Sequence, residues 1–218
     1  MSDRVERVDE HDRVVGVVDR AEAIRRGWLH RVATTVCRDA AGRVLVYRRP
    51  DTVSRFAGHH DVMLGGAVQV GESYHAAAER ELREELGLAV PVRHRFTFRC
   101  RGVIAPYWLG VHEAVLPPGP LTVDPAEIAW HGWLTLPELA EAVRRWPFVP
   151  DGQLAFGRYL LGLPSGPGAS DHGEVGPEQG PEQRPEQRPE QGPEQGPEPW
   201  VEQGPGQGPD QAPEQGSG

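Results

Sequence analysis

Lysine and asparagine are missing altogether from this 218-residue chain, and cysteine occurs only twice, at Cys37 and Cys100. Every fixed positive side chain is therefore arginine, a pattern read as coding bias and not as chemistry. Two cysteines far apart, each in a strand-like run, favour free thiols over a disulfide or a ligand role. They read as buried thiols of a cytosolic protein. No stretch of eighteen consecutive apolar residues occurs, so no helix is expected to cross a bilayer. The opening MSDRVERVDEHDR is charged throughout and lacks the apolar run of a secretory signal. The expected location is cytoplasmic.

An excess of positive charge is also absent. The formal net charge is −9, and of the 32 acids and 23 bases, eleven acids and two arginines follow residue 163. The acids and bases that remain balance one another, so the body is neutral. It has no basic run with interleaved aromatics, which argues against nucleic acid as a partner. Trp108, Trp130 and Trp133 are instead expected in the core or in pocket walls. From residue 176 the chain settles into a four-residue rhythm, GPEQGPEQRPEQRPEQ, with little that is apolar beyond Trp200 and Val201. Proline at every fourth position removes backbone donors, and no core can offset the cost of ordering such a segment. These features predict one domain over 1–163 and a disordered repeat tail over 164–218.

What the body does contain is alternating β-branched sequence. Strands are expected over 13–20, 30–39 and 43–50, the last two joined by a hairpin turn at Ala40-Ala41-Gly42. A second antiparallel pair, 92–101 with 104–116, surrounds Gly102, and 127–136 reads as a further strand. The pair His59-His60 precedes a strand leading toward Gly66 and is expected at the surface. Helical periodicity is confined to Tyr74–Leu86, to 136–146 with Pro137 at its start, and to 153–161. This order predicts a mixed α/β sandwich and not a doubly wound parallel sheet.

The helix over Tyr74–Leu86 carries the chemistry. Ser73 can cap its start, Ala78, Leu82 and Leu86 form an apolar stripe, and Gly87 stands where a left-handed residue ends a helix. Glu81, Glu84 and Glu85 fall at i, i+3 and i+4, so their carboxylates share one face. Such a cluster is unfavourable unless something neutralises it, and a hard divalent cation takes oxygen ligands of this kind. A solvated acidic face is the alternative for the helix taken alone. Glu79 precedes Arg83 by four residues and is expected to form an ordinary surface pair with it.

The flanking residues extend the pattern. Gly66, five residues, Glu72, seven residues, then Arg80-Glu81-Leu82-Arg83-Glu84-Glu85-Leu86-Gly87-Leu88 match every fixed position of G-x5-E-x7-R-E-U-x-E-E-x-G-U, where U is aliphatic. Average residue usage puts a chance match at a given start on the order of one in 10⁹. The chain thus resembles the Nudix hydrolases, with the box over 66–88. The resemblance implies an α/β/α sandwich with a mixed sheet. It also implies Mg²⁺ or Mn²⁺ as cofactor, and cleavage of a diphosphate bond in a nucleoside diphosphate derivative or similar small molecule. It implies Glu81, Glu84 and Glu85 as metal ligands, Arg80 and Glu72 as braces of the loop, and Gly66 and Gly87 as its tight turns. Glu84 and Glu127 are alternative general bases. Arg48, Arg49 and Arg55 either contact phosphate oxygens or stand exposed at a strand end.

Upstream, VVGVVDRAEAIRRGWLHRVATTVCRDAAGRVLVYRRP is similar to the start of isopentenyl-diphosphate isomerases, which share the fold. Those enzymes protonate an alkene with a cysteine just before the box, where this chain reads DVMLGGAVQVGE. Of their early histidine ligands only His30 is matched, and it is expected to pack or hydrogen-bond. A hydrolase from an isomerase-like branch is the expectation, with the isomerase as one alternative. A nucleotide-metabolite sensor is another; such modules lose one of the box acids, and here all are present.

Overall fold

The computed structural model describes residues 3–162, and the expected repeat tail lies outside them. In chain order the elements are β1 (Arg4–Val8), β2 (Val14–Asp19), α1 (Arg20–Arg26), β3 (Arg31–Arg38), β4 (Val44–Arg48), β5 (His60–Asp61) and β6 (Met63–Ala67). There follow α2 (Tyr74–Leu86), β7 (Arg93–Cys100), β8 (Tyr107–Val115), β9 (Trp130–Leu134), α3 (Leu136–Arg145) and α4 (Pro150–Leu161). Among the described residues no helix is long and apolar enough to cross a membrane.

Strands β1 and β5 and helix α1 were not foreseen. Strand β1 reads as a charged run, yet Val5 and Val8 are buried and it pairs antiparallel with β2. The strand expected over 13–20 stops at Asp19, whose side chain accepts a hydrogen bond from Glu22 N at 3.0 Å and so caps α1. The strand expected over 127–136 is also shorter, beginning at Trp130. Asp124 takes the preceding residues into a turn, its side chain accepting from Ala126 N and its carbonyl from Glu127 N and Ile128 N.

The expected turn between β3 and β4 is present, but the long hairpin is not. Only Arg38 and Val44 pair across it. Both edges of β3 are already taken, by β8 in parallel and β6 antiparallel, while β4 pairs with β9 and β5. The two strands therefore diverge and divide the mixed sheet into two halves. The chain crosses from one half to the other at Asp61–Met63, between β5 and β6. That split positions the site.

Side chains alternate across the sheet as strand geometry requires. Leu45 and Tyr47 join Ala78, Leu82 and Leu86 of α2 in one apolar layer, while Val44 and Val46 join Leu139, Phe156 and Tyr159 of α3 and α4 in the other. The result is the expected α/β/α sandwich. Leu82 and Leu86 are fully buried, and each contributes roughly 2 kcal/mol. Trp133 packs against the α2 layer, whereas Trp130 is 43% exposed and stands edge-on to Trp146, so it is not a core residue. His60 stacks on Trp146 with ring centroids 4.6 Å apart.

Candidate active site

The site begins where β6 ends. Gly65 has φ 144°, and a Cβ there would stand 2.1 Å from the Ala33 carbonyl oxygen of the neighbouring strand. No side chain fits. At Gly66 a Cβ would meet Glu81 Oε1 at 2.5 Å, so the missing side chain is what lets the helix carboxylate lie against the strand.

Helix α2 has the caps its sequence calls for: the Ser73 hydroxyl accepts from Ala76 N, and Gly87 is left-handed with φ 65°. Arg80 is the hub of the loop–helix junction. Its Nε and Nη2 donate to the two oxygens of Glu72 at 3.0 and 3.1 Å, and Nη2 also reaches the Ala67 carbonyl at 3.0 Å. Its Nη1 donates to Glu81 at 2.8 Å and to Glu84 at 2.9 Å. Glu72 in turn accepts from Gln69 N, closing the loop onto itself. The N-terminal ribbon is tied to the same loop through Glu6, which accepts from Gly71 N and from Arg31. Glu79 faces His75 at 3.4 Å and not Arg83, because a helix offers an i−4 neighbour as readily as an i+4 one.

Glu81, Glu84, Glu85 and Glu127 all line one cavity of about 680 Å³. Their surroundings differ. Glu85 is 7% exposed, and its carboxyl is held well above the usual range by burial first, then by the facing charges of Glu81 and Glu127. Arg49 and a hydrogen bond from Gly65 N act in the opposite direction. Glu81 is also raised, mainly by burial, with its bond from Arg80 pulling the other way. Glu84 is the accessible member, its side chain 58% exposed. Glu127 is exposed too, and stands in the Asp124 turn, not on the strand where the sequence placed it.

Arg49 and Arg55 line this cavity, and Arg49 Nε donates to the Arg55 carbonyl at 3.3 Å. Arg48 does not line it; that side chain turns to Asp51. Arg20, at the start of the unforeseen α1, does line it, and its Nε is buried without a hydrogen-bond partner. Sequence reading missed it because the β2 strand pattern runs straight into the helix.

The same arginines open onto a second chamber of about 200 Å³ in the split of the sheet. It is lined by His30, Thr34, Met63, Leu109 and Tyr107, among others, and by Asp61. His30 is 3% exposed; burial lowers its proton affinity, and Nδ1 lies 3.4 Å from the Trp28 carbonyl. Asp61 is 7% exposed, and its Oδ1 accepts from Val62 N at 2.8 Å and Met63 N at 3.2 Å. It thereby holds the backbone where the chain crosses between sheet halves. Burial pushes its carboxyl up to about 7, with Asp151 adding to the rise and the two backbone donors and Arg49 opposing it.

A pH dependence of stability follows. Because the folded-state value lies above that of the unfolded chain, near 3.9, the folded protein holds a proton that the unfolded chain has lost between these values. The associated stabilisation is complete below about pH 4 and is lost as pH rises through about 7. Asparagine keeps the Oδ1 acceptor and has no such proton. The melting temperature of Asp61→Asn relative to wild type is therefore expected to rise steadily from pH 4 to pH 8, read by calorimetry.

The donor set around α2 fits a hard divalent cation. It is all oxygen, Gly66 leaves Glu81 room against the strand, and Glu85 is buried with other carboxylates facing it. As the side chains stand, Glu81 and Glu84 both lean on Arg80, and among the described residues no three acids, imidazoles or thiols are grouped to hold an ion. The Glu84–Arg80 pair is partly solvated and worth only tenths of a kcal/mol, so it presents little barrier to rearrangement.

Comparison with known proteins supplies the wider setting. A family model described as NUDIX domain matches residues 28–152. An uncharacterized Nudix hydrolase of Streptomyces coelicolor is 42% identical over 172 residues, covering 78% of this chain and 92% of its own. Another from Pseudomonas aeruginosa is 39% identical over 157 residues, covering 70% of this chain and 90% of its own. A crystal structure from Deinococcus radiodurans shares the fold with a TM-score of 0.62 at 31% identity, covering 72% of this chain and 99% of that one.

Proposed function

Because the chain belongs to the Nudix hydrolase family, we propose that it cleaves the diphosphate bond of a nucleoside diphosphate derivative or similar organic diphosphate, using Mg²⁺ or Mn²⁺. The observation that carries this reading is one cavity lined by Glu81, Glu84, Glu85 and Glu127 together with Arg20, Arg49 and Arg55. Acids alone would repel such a substrate, and arginines alone would bind it without activating water.

Glu81, Glu84 and Glu85 would hold the cation, which when bound neutralises phosphate oxygens and lowers the pKa of water. Arg49 and Arg55 bind the phosphates by charge-assisted hydrogen bonds, and Arg20 is placed to add a third. Glu127 and Glu84, both accessible to the cavity, are the candidates to take the proton from attacking water. Arg80, Glu72 and Gly66 keep Glu81 in position, and Gly87 ends the helix.

Isomerase chemistry finds no cysteine here to serve as its acid. The residue just before the box is Gly65, where a side chain would collide with the Ala33 carbonyl. Cys37 and Cys100 are buried, with thiols that burial holds above the ordinary range, and neither lines the cavity. The test is a panel of nucleoside diphosphate derivatives and isopentenyl diphosphate, each with Mg²⁺, Mn²⁺ or EDTA. Release of a monophosphate from some panel member, stopped by EDTA, is expected. Solvent deuterium entering the isopentenyl skeleton would overturn the reading.

A further inference from the structure

We propose that the chamber in the split of the sheet takes a small ring at the organic end of the diphosphate. Asp61 there selects a ring bearing an exocyclic amino group over its keto counterpart, and Thr34 binds either. This rests on the hydrolase reading above. The chamber adjoins the acidic cavity through Arg49 and Arg55, so a diphosphate held on those arginines leaves its organic end beside Asp61. At about 200 Å³ it is smaller than the roughly 300 Å³ at which drug-sized pockets begin. One ring fills it.

The polar groups inside are unsatisfied in a specific way. Thr34 is 8% exposed, and its Oγ1 is buried with no hydrogen-bond partner. Both backbone bonds to Asp61 fall on Oδ1, and among the described residues no hydrogen bond falls on Oδ2. Leaving the buried Thr34 hydroxyl in this state costs about 1–3 kcal/mol, which a ligand donor or acceptor reaching it can recover. Beside Asp61 an amino N–H meets the free lone pairs of Oδ2, whereas a keto oxygen there would face them and be repelled. Phe56 borders the chamber with φ 51°, a left-handed backbone that costs a bulky residue roughly 1–3 kcal/mol. Strain of that kind persists where surrounding structure holds a ligand wall in place.

The test is calorimetric binding at pH 8 without metal, using cytidine and uridine 5′-monophosphates and adenosine and inosine 5′-monophosphates as matched pairs. Wild type is expected to bind the amino member of a pair about tenfold or more tightly than its keto partner. In Asp61→Asn, which keeps the Oδ1 acceptor, the preference should vanish or invert. A purely structural Asp61 would change the melting temperature and leave the preference intact. Thr34→Val should weaken both members of the pair. Equal wild-type affinities, an unchanged preference in Asp61→Asn, or no binding of any of the four would each overturn the proposal. If Asp61→Asn does not fold, undiminished affinity in Thr34→Val overturns it. Turnover of the corresponding diphosphates with Mg²⁺ is read separately. Selective binding without turnover would support the selection and count against the hydrolase reading alone.

Discussion

Replacing Glu85 by glutamine is expected to abolish metal-dependent turnover while raising the melting temperature of the metal-free protein. Loss of a charged ligand from an oxygen donor set removes stabilisation of the phosphoryl transition state, and a fall of about a thousandfold or more is expected. Stability moves the other way. The Glu85 carboxylate is 7% exposed and faces Glu81 and Glu127, so burial and like charge both disfavour its ionised form. The amide is the same size and can still accept from Gly65 N. In a domain of this size each kcal/mol recovered is worth about 2–4 °C. Thermal scans in EDTA and initial rates in Mg²⁺ check the two halves together. A variant that turns over at the wild-type rate would remove Glu85 from the metal site. Glu81→Gln should lose activity without the same gain, because Glu81 is bonded to Arg80 at 2.8 Å.

Arg80→Ala is expected to have the largest effect on stability. The side chain is 18% exposed and holds Glu72 and Glu81, each 14% exposed, together with Glu84 and the Ala67 carbonyl. Removing one partner of such a network leaves carboxylates partly buried and unpaired, at a cost of about 3–5 kcal/mol. The melting temperature should fall by roughly 6–20 °C. Lysine is no substitute, since one ammonium cannot reproduce the guanidinium fork that spans Glu72 and Ala67. If the loss comes from the uncompensated Glu81 charge, adding Glu81→Gln to Arg80→Ala should restore part of it. Simple additivity of the two substitutions would show that Arg80 and Glu81 are not coupled.

The helix of the site was legible because its signals are local. Ser73, the Ala78–Leu82–Leu86 stripe and Gly87 fix where α2 starts, which face it buries and where it stops, and the i, i+3, i+4 spacing follows from helix geometry alone. Glu127 entered the same cavity from 42 residues beyond Glu85 in sequence, and spacing could select it but not place it. Its assignment to a strand failed because the Asp124 side chain competes for the backbone donors a strand would use. Arg20 and Asp61 gave no signal. Arg20 follows a continuous β-branched run, and Asp61 sits in HHDVM as an ordinary polar residue. Asp61 is buried only because the chain changes sheet halves at that point, a consequence of how β3 and β4 divide their partners. Hydrophobic periodicity carries no information about such a crossing. Arg48 and Arg49 illustrate the same limit: they are adjacent in sequence, yet only Arg49, just past the end of β4, reaches the cavity, since successive residues of extended backbone face opposite ways.

The most direct test of the account is turnover in ¹⁸O-labelled water. Wild-type protein is incubated with Mg²⁺ and the diphosphate that the panel identifies, and the products are weighed by mass spectrometry. If water held at the acidic cavity attacks phosphorus, one ¹⁸O atom enters a monophosphate product, the other product carries none, and EDTA stops the reaction. Products free of label, or turnover undiminished by EDTA, would contradict metal-dependent hydrolysis at Glu81, Glu84 and Glu85.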